Sequence, residues 1–138
     1  MSELVLSYRP DPGDDYAWLT VSLTTLAFSG TGGFWVQPHD SRAFAVSLLA
    51  YPIVAGSEPR ADWGFNRLEG TDRIISIQIS PANPRGTLRA DVEIADKDDR
   101  DYRVRSASLT QYSEIEVFSR ALIGIASGQQ ETAILVGE

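Results

Sequence analysis

Four groups of residues in this sequence have the types and spacing that chemistry uses. The first is Gly30-Thr31-Gly32-Gly33-Phe34-Trp35, which has the look of a phosphate cradle. A P-loop needs glycines, then Lys-Ser/Thr, then a helix whose N-terminal amides meet the phosphate. Here Phe34-Trp35 follows Gly33, and the single lysine, Lys97, is far away. A dinucleotide fingerprint fails too, because Trp35 stands where the third glycine belongs and an extended segment follows. The reading that fits is a hairpin turn using glycine's access to positive φ. The second group is His39-Asp40. His39 is the only histidine, so any serine relay would have to use it. No glycine-flanked serine elbow is present, and helix neighbours point about 100° apart. His39 therefore reads as a surface residue of a helix's first turn.

The third group is Asp96, Asp98, Asp99 and Asp101. An EF-hand starting at Asp96 would put Arg100 at position five, Asp101 in place of the glycine at six, and Ala107 in place of the glutamate at twelve. The motif fails, and the run reads as a solvated hairpin tip. The fourth group is Arg89, Arg103 and Arg105, which could suggest nucleic acid. Pairing two strands about a tip at Asp98 gives another account. Val92 then faces Val104, and Ile94 faces Tyr102, all inward. Glu93 faces Arg103 and Asp91 faces Arg105, all outward. Each opposite-charge pair favours this register by roughly 0.2–1 kcal/mol, and the arginines are matched locally.

The elements that must position these groups follow from periodicity. Leu4 to Tyr8 alternates as a short strand, and Asp11 to Asp15 is a turn. Tyr16 to Phe28 reads as one long strand, with Leu19, Val21 and Leu23 on an apolar face and Trp18, Thr20 and Ser22 opposite. Phe34 to Val36 reads as a returning strand. A helix starts within Gln37 to Ser41, carries Phe44, Ala45, Leu48, Leu49 and Tyr51 as a stripe, and ends at Pro52. Residues 55 to 72 give no clear periodicity. Arg73 to Ser80 is a strand with Ile75, Ile77 and Ile79 on one face. Pro81 to Gly86 is a turn. Thr87 to Ala95 alternates with Leu88, Ala90, Val92 and Ile94 inward, and Asp101 to Leu109 follows as a strand. Ser113 and Glu116 form a capping box for a second helix, with Tyr112 and Val117 as its hydrophobic staple. Ile115, Phe118, Leu122 and Ile125 make its buried stripe, and Gly128 stops it. Thr132 to Val136 is a last strand. The order predicts a single α+β domain over residues 1–138. It should hold a mostly antiparallel sheet of about six to seven strands, with two amphipathic helices packed on one face.

Composition bounds the function. A chain of 138 residues is one domain's worth and needs no staple to hold a core. It has no cysteine, which excludes disulfides, thiolate zinc sites and cysteine nucleophiles. The opening MSELVLSYRPDPGDD lacks the marks of a signal peptide, and no apolar run approaches the ~18 residues of a membrane span. The expected setting is cytoplasmic. There are 19 acids against 12 bases, a net charge of -7. That argues against nucleic acid and anionic membranes as partners. The acid excess concentrates in two windows, residues 1–15 and Asp91 to Asp101, where a basic partner would be steered.

With Trp18-Leu19-x-Val21, Phe28-Ser29-Gly30 and the Tyr112/Glu114/Phe118/Leu122 helix in this order, the chain resembles the WapI-type immunity-protein family of bacterial polymorphic toxin systems. The resemblance runs over most of the chain through short apolar motifs. The Asp-rich tip and Trp63-Gly64-Phe65 depart from it. It implies a small α+β protein that occludes a cognate toxin stoichiometrically, with no catalytic residues.

The expectation is thus a non-enzymatic binding protein without cofactor or metal, whose partner is a basic protein such as a cognate toxin. Its candidate interface is Trp35, Trp63 and Phe65 with Asp96, Asp98, Asp99 and Asp101. One alternative is a small-molecule-binding domain or carboxylate-based hydrolase with a pocket between helices and sheet. Another is a self-associating structural subunit that pairs an open edge strand, which leaves a homodimer open.

Overall fold

The computed structural model describes residues 1–10, 13, 15–67 and 70–138. The expected turn at Asp11 to Asp15 rests on Asp11, Pro12 and Asp14, which lie outside the described residues. Eight strands and two helices follow in the order β1 (Ser2–Pro10), β2 (Ala17–Thr24), β3 (Ser29–Val36), α1 (Pro38–Ser47), β4 (Arg60–Arg67), β5 (Gly70–Pro81), β6 (Thr87–Ala95), β7 (Arg103–Gln111), α2 (Tyr112–Ala126) and β8 (Thr132–Gly137). The protein is α+β with antiparallel pairing, as the alternation predicts. The expected single sheet of about six to seven strands is corrected to two four-stranded sheets, ordered β3-β2-β1-β8 and β4-β5-β6-β7. One strand, β4, is hidden in the sequence, and another, β3, is longer than expected. β4 lacks alternation because its register shifts between Trp63 and Gly64. β3 is expected only over Phe34 to Val36, because its glycine-rich first half reads as a turn.

The apolar faces of the sheets share one core. Leu6, Leu19 and Val21 come from the first sheet, and Ile75, Ile77, Ile79 and Leu88 from the second. Each such side chain contributes roughly 1.5–3 kcal/mol on burial. β3 lies over the strands of the second sheet, and α2 packs on β8 and β1. α1 packs chiefly on α2, where the buried Ser119 hydroxyl donates to the Ala45 carbonyl at 2.5 Å. α1 ends at Ser47 and not at Pro52, so the expected stripe is half right: Phe44, Ala45 and the C-cap Leu48 are buried, whereas Leu49 and Tyr51 lie beyond the helix and are exposed.

Gly30, Gly32 and Gly33 are not a turn. They sit inside β3, opposite Leu23, Val21 and Thr20 of β2. The turn lies earlier, at residues 25–28, where the Thr25 amide donates to the Phe28 carbonyl at 2.7 Å. The glycines are required by close packing. A Cβ on Gly30 would collide with Val104, and one on Gly32 would sit 2.5 Å from Ile94 Cγ2. The second sheet rests directly on this backbone.

Two local expectations fail for identifiable reasons. The β6–β7 hairpin turns about Asp99, not Asp98, so Val92 faces Ser106, Ile94 faces Val104 and Glu93 faces Arg105. The parity of the faces survives, but each pair moves by two residues. The larger tip explains this: Asp96 and Tyr102 close it through an amide-to-carbonyl bond of 2.9 Å, and Tyr102 is 70% exposed. Glu93 still meets Arg103, diagonally, at 2.5 Å, while Asp91 pairs with Arg89 at 3.0 Å on its own strand. The capping box is also absent. β7 runs straight into α2 with Gln111 as N-cap and no side-chain cap. Glu116 is held by Arg120 one turn on, at 2.9 Å, and Val117 is 63% exposed, so no staple forms. Gly128, at φ +80, does end the helix.

Candidate functional site

β2 and β3 place two tryptophans side by side. Trp18 and Trp35 are register partners on the face away from the core. Their rings meet edge-on, with centroids 4.7 Å apart at 76°. Trp35 is 49% exposed. Its neighbour Phe34 points the other way, to the core, and meets the ring of Phe65 on β4 edge-on at 4.9 Å. Phe65 is 36% exposed. Two aromatic side chains thus reach solvent where β3 passes over the second sheet.

The β6–β7 tip closes over these rings. Lys97 Nζ lies 5.8 Å from the Trp35 centroid, and the Arg100 guanidinium carbon lies 5.2 Å from that of Phe65. Both are cation–π arrangements. Arg100 also holds the Asp72 carboxylate at 2.7 Å, and it donates to the carbonyls of Asp96 and Lys97. The hydrogen bond that Arg100 donates to Asp72 is the main cause that raises the Arg100 pKa above its ordinary value. Arg100 therefore pins the tip to β5 and β4.

The aspartates divide their work. Asp96 Oδ1 accepts the amides of Asp98 at 2.7 Å and Asp99 at 3.3 Å, and Asp99 Oδ1 accepts the Asp101 amide at 3.0 Å. Asp98 meets Lys97 at 3.2 Å. Among the described residues, Asp96, Asp99 and Asp101 form no ion pair. Among them too, no group of three or more His, Asp or Glu side chains could hold a metal ion.

The structure brings together Trp35, Phe65, Asp96, Asp98, Asp99 and Asp101. Trp63 does not join them: its half-buried ring packs against the core, edge-on to Phe44 at 6.1 Å. Sequence reasoning missed Trp18, Lys97 and Arg100 as parts of this surface. Trp18 could have been found from the β2–β3 register, since it shares an outward face with Thr20 and Ser22. The Arg100–Asp72 contact joins residues far apart in the chain and leaves no local pattern.

The remaining candidates are simpler. His39 Nε2 reaches Asp40 Oδ1 at 3.2 Å despite their adjacency, and both side chains are largely exposed. The described buried polar side chains are Ser2, Ser41, Ser76, Thr110 and Ser119, none of them a carboxylate. Among the described residues, no helix is long and apolar enough to cross a membrane. No protein-family model matches the chain, and no curated protein or solved structure matches it either.

Proposed function

We propose that this chain is a non-enzymatic, cytoplasmic binding protein that docks a basic protein on the β6–β7 tip and the aromatic rings beside it. Its action is that of an immunity protein, which neutralises a cognate toxin by covering it. One observation carries the reading: a half-exposed Trp35, braced by Trp18, stands beside carboxylates with no ion-pair partner among the described residues. Rigid aromatic anchors supply much of an interface's energy, and surface carboxylates steer a basic partner. No comparable observation favours the hydrolase alternative.

The test is co-expression and binding with the product of the neighbouring gene. The wild-type chain should relieve its toxicity and form a one-to-one complex. Trp35→Ser should weaken the complex by about 2 kcal/mol or more, roughly thirtyfold. Asp98→Lys with Asp101→Lys spares the loop-holding Asp96 and Asp99 carboxylates. It should slow association and flatten its salt dependence. Unchanged affinity in the first variant together with an unchanged on-rate in the second would refute the reading.

A further inference from the structure

A second docking element lies on a different part of the molecule, between α1 and β4. β4 is the outer strand of the second sheet. The Ile79 amide donates to the Pro59 carbonyl at 3.0 Å, so Pro59 and Ile79 form a hydrogen-bonded pair. Antiparallel pairs alternate. Ala61 and Trp63 therefore turn their backbone groups toward Ile77 and Ile75, while Arg60 and Asp62 turn theirs away from β5. Among the described residues, those outward groups meet no backbone partner.

The edge opens onto a groove of about 530 Å³ whose far wall is α1. Ala43 and Ser47, one turn apart, are the small side chains of that wall and leave it recessed. The charges lining the groove are Asp40, Glu58 and Asp62 against Arg60 alone. The Arg60 guanidinium is already engaged by Asp62 at 2.6 Å and Gln78 at 2.8 Å. Trp63 adds an aromatic wall. Exposed edges are usually blunted by charge or bulges. Here the bulge comes only after Trp63, so the stretch from Pro59 to Trp63 keeps regular pairing geometry.

We propose that this groove takes an extended, lysine- or arginine-bearing polypeptide segment, which adds to β4 as a fifth strand. The segment's carbonyls accept the Arg60 and Asp62 amides, its amides donate to their carbonyls, and its basic side chains reach Asp40 and Glu58. Strand addition of this kind draws affinity from main-chain bonds and selectivity from alternate side chains. The inference goes beyond the tip surface and uses none of its residues.

The probe is a short synthetic peptide that alternates lysine with valine and threonine. Its controls are a copy with glutamate for lysine, and two copies N-methylated at alternate residues, one for each register. Amide exchange and chemical shifts are read on the full chain. The lysine peptide should protect the Arg60 and Asp62 amides. One N-methylated copy, and separately Asp40→Asn with Glu58→Gln, should weaken binding by roughly tenfold or more. Trp35→Ser should leave binding unchanged, which separates this proposal from the tip reading. Absence of protection at Arg60 and Asp62 would overturn it. So would equal binding of both N-methylated copies, which means charge adhesion only, or equal binding of the glutamate copy. Concentration-dependent pairing of the chain with itself through β4 would also overturn it, because the occupant would then be a second copy.

Discussion

Gly32→Ala should destabilise the fold, and the size of the effect can be worked from one contact. The added Cβ would sit 2.5 Å from Ile94 Cγ2 and 3.5 Å from the Ala95 carbonyl oxygen. Carbon atoms rest about 3.5–4.0 Å apart, so the new methyl group is too close by about 1 Å. Ile94 is 3% exposed and belongs to the shared core, so the new methyl group must displace a packed side chain. Overpacking of this kind costs about 1–3 kcal/mol, and alanine recovers about 0.5–1 kcal/mol over glycine in a strand, leaving a net loss of about 1–2 kcal/mol. Urea unfolding is the assay. With a slope of about 1–3 kcal/mol per molar, the midpoint should fall by roughly 0.5–1 M. Ile94→Ala alone should cost about 2–5 kcal/mol. In the double variant the new methyl group partly refills the space, so the losses should sum to less than additive by about 1–2 kcal/mol. A Gly32→Ala chain as stable as wild type would refute the reasoning, and so would additive losses. Ile94 stands two residues before the tip that lays Lys97 over Trp35, so the same displacement should also be felt at the candidate surface.

Two further outcomes follow from named contacts. Burial pushes the Tyr8 phenol up to about 12, and its hydroxyl donates to the Val36 carbonyl at 2.7 Å. The folded value lies above the unfolded value of about 10, so this contribution is fully present below pH 10 and is lost as pH rises toward 12. Tyr8→Phe should lower neutral-pH stability by about 0.5–1.5 kcal/mol and flatten the alkaline fall; an unaltered alkaline slope would count against Tyr8 as its source. Arg100→Ala should free the tip, so that the Asp98, Asp99 and Asp101 amides exchange several-fold faster while the Ile77 and Val92 amides do not. Unchanged exchange at the tip would show that Arg100 does not hold it.

Much of the second half of the chain was legible. β6 begins and ends at the expected residues, and its inward set of Leu88, Ala90, Val92 and Ile94 is buried. The buried stripe of α2 is also as expected. These elements obey local periodicity, which a single sequence carries. The misses have one common cause: contacts between distant residues overrule local signals. β3 needs its glycines because Val104 and Ile94 press on it, and neither lies nearby in the chain. β4 loses alternation to a bulge that fits it to β5. The hairpin register was set by a tip whose size depends on aspartate-to-amide bonds and on Arg100 reaching Asp72. For the candidate surface, residue type pointed to Trp35 and the aspartates. Only the register and the long-range arginine contact show which aromatic rings accompany them, and that Trp63 does not.

The tip loop holds four aspartates against Lys97 and Arg100, a modest excess by count. What an approaching molecule meets is more lopsided. Lys97 is 32% exposed and Arg100 24%, whereas Asp98 is 82% exposed. The bases are folded inward onto rings and the acids point out. The sign displayed at this end of the protein is thus produced by conformation as much as by composition. Removing Trp35 would take away the ring under Lys97 and leave that cation to the acidic field, whereas Arg100 would stay held by Asp72 without Phe65. An alanine substitution at Trp35 would then report lost steering along with lost contact. The two can be told apart only by repeating the measurement at high salt, where the electrostatic part fades and the packing part remains.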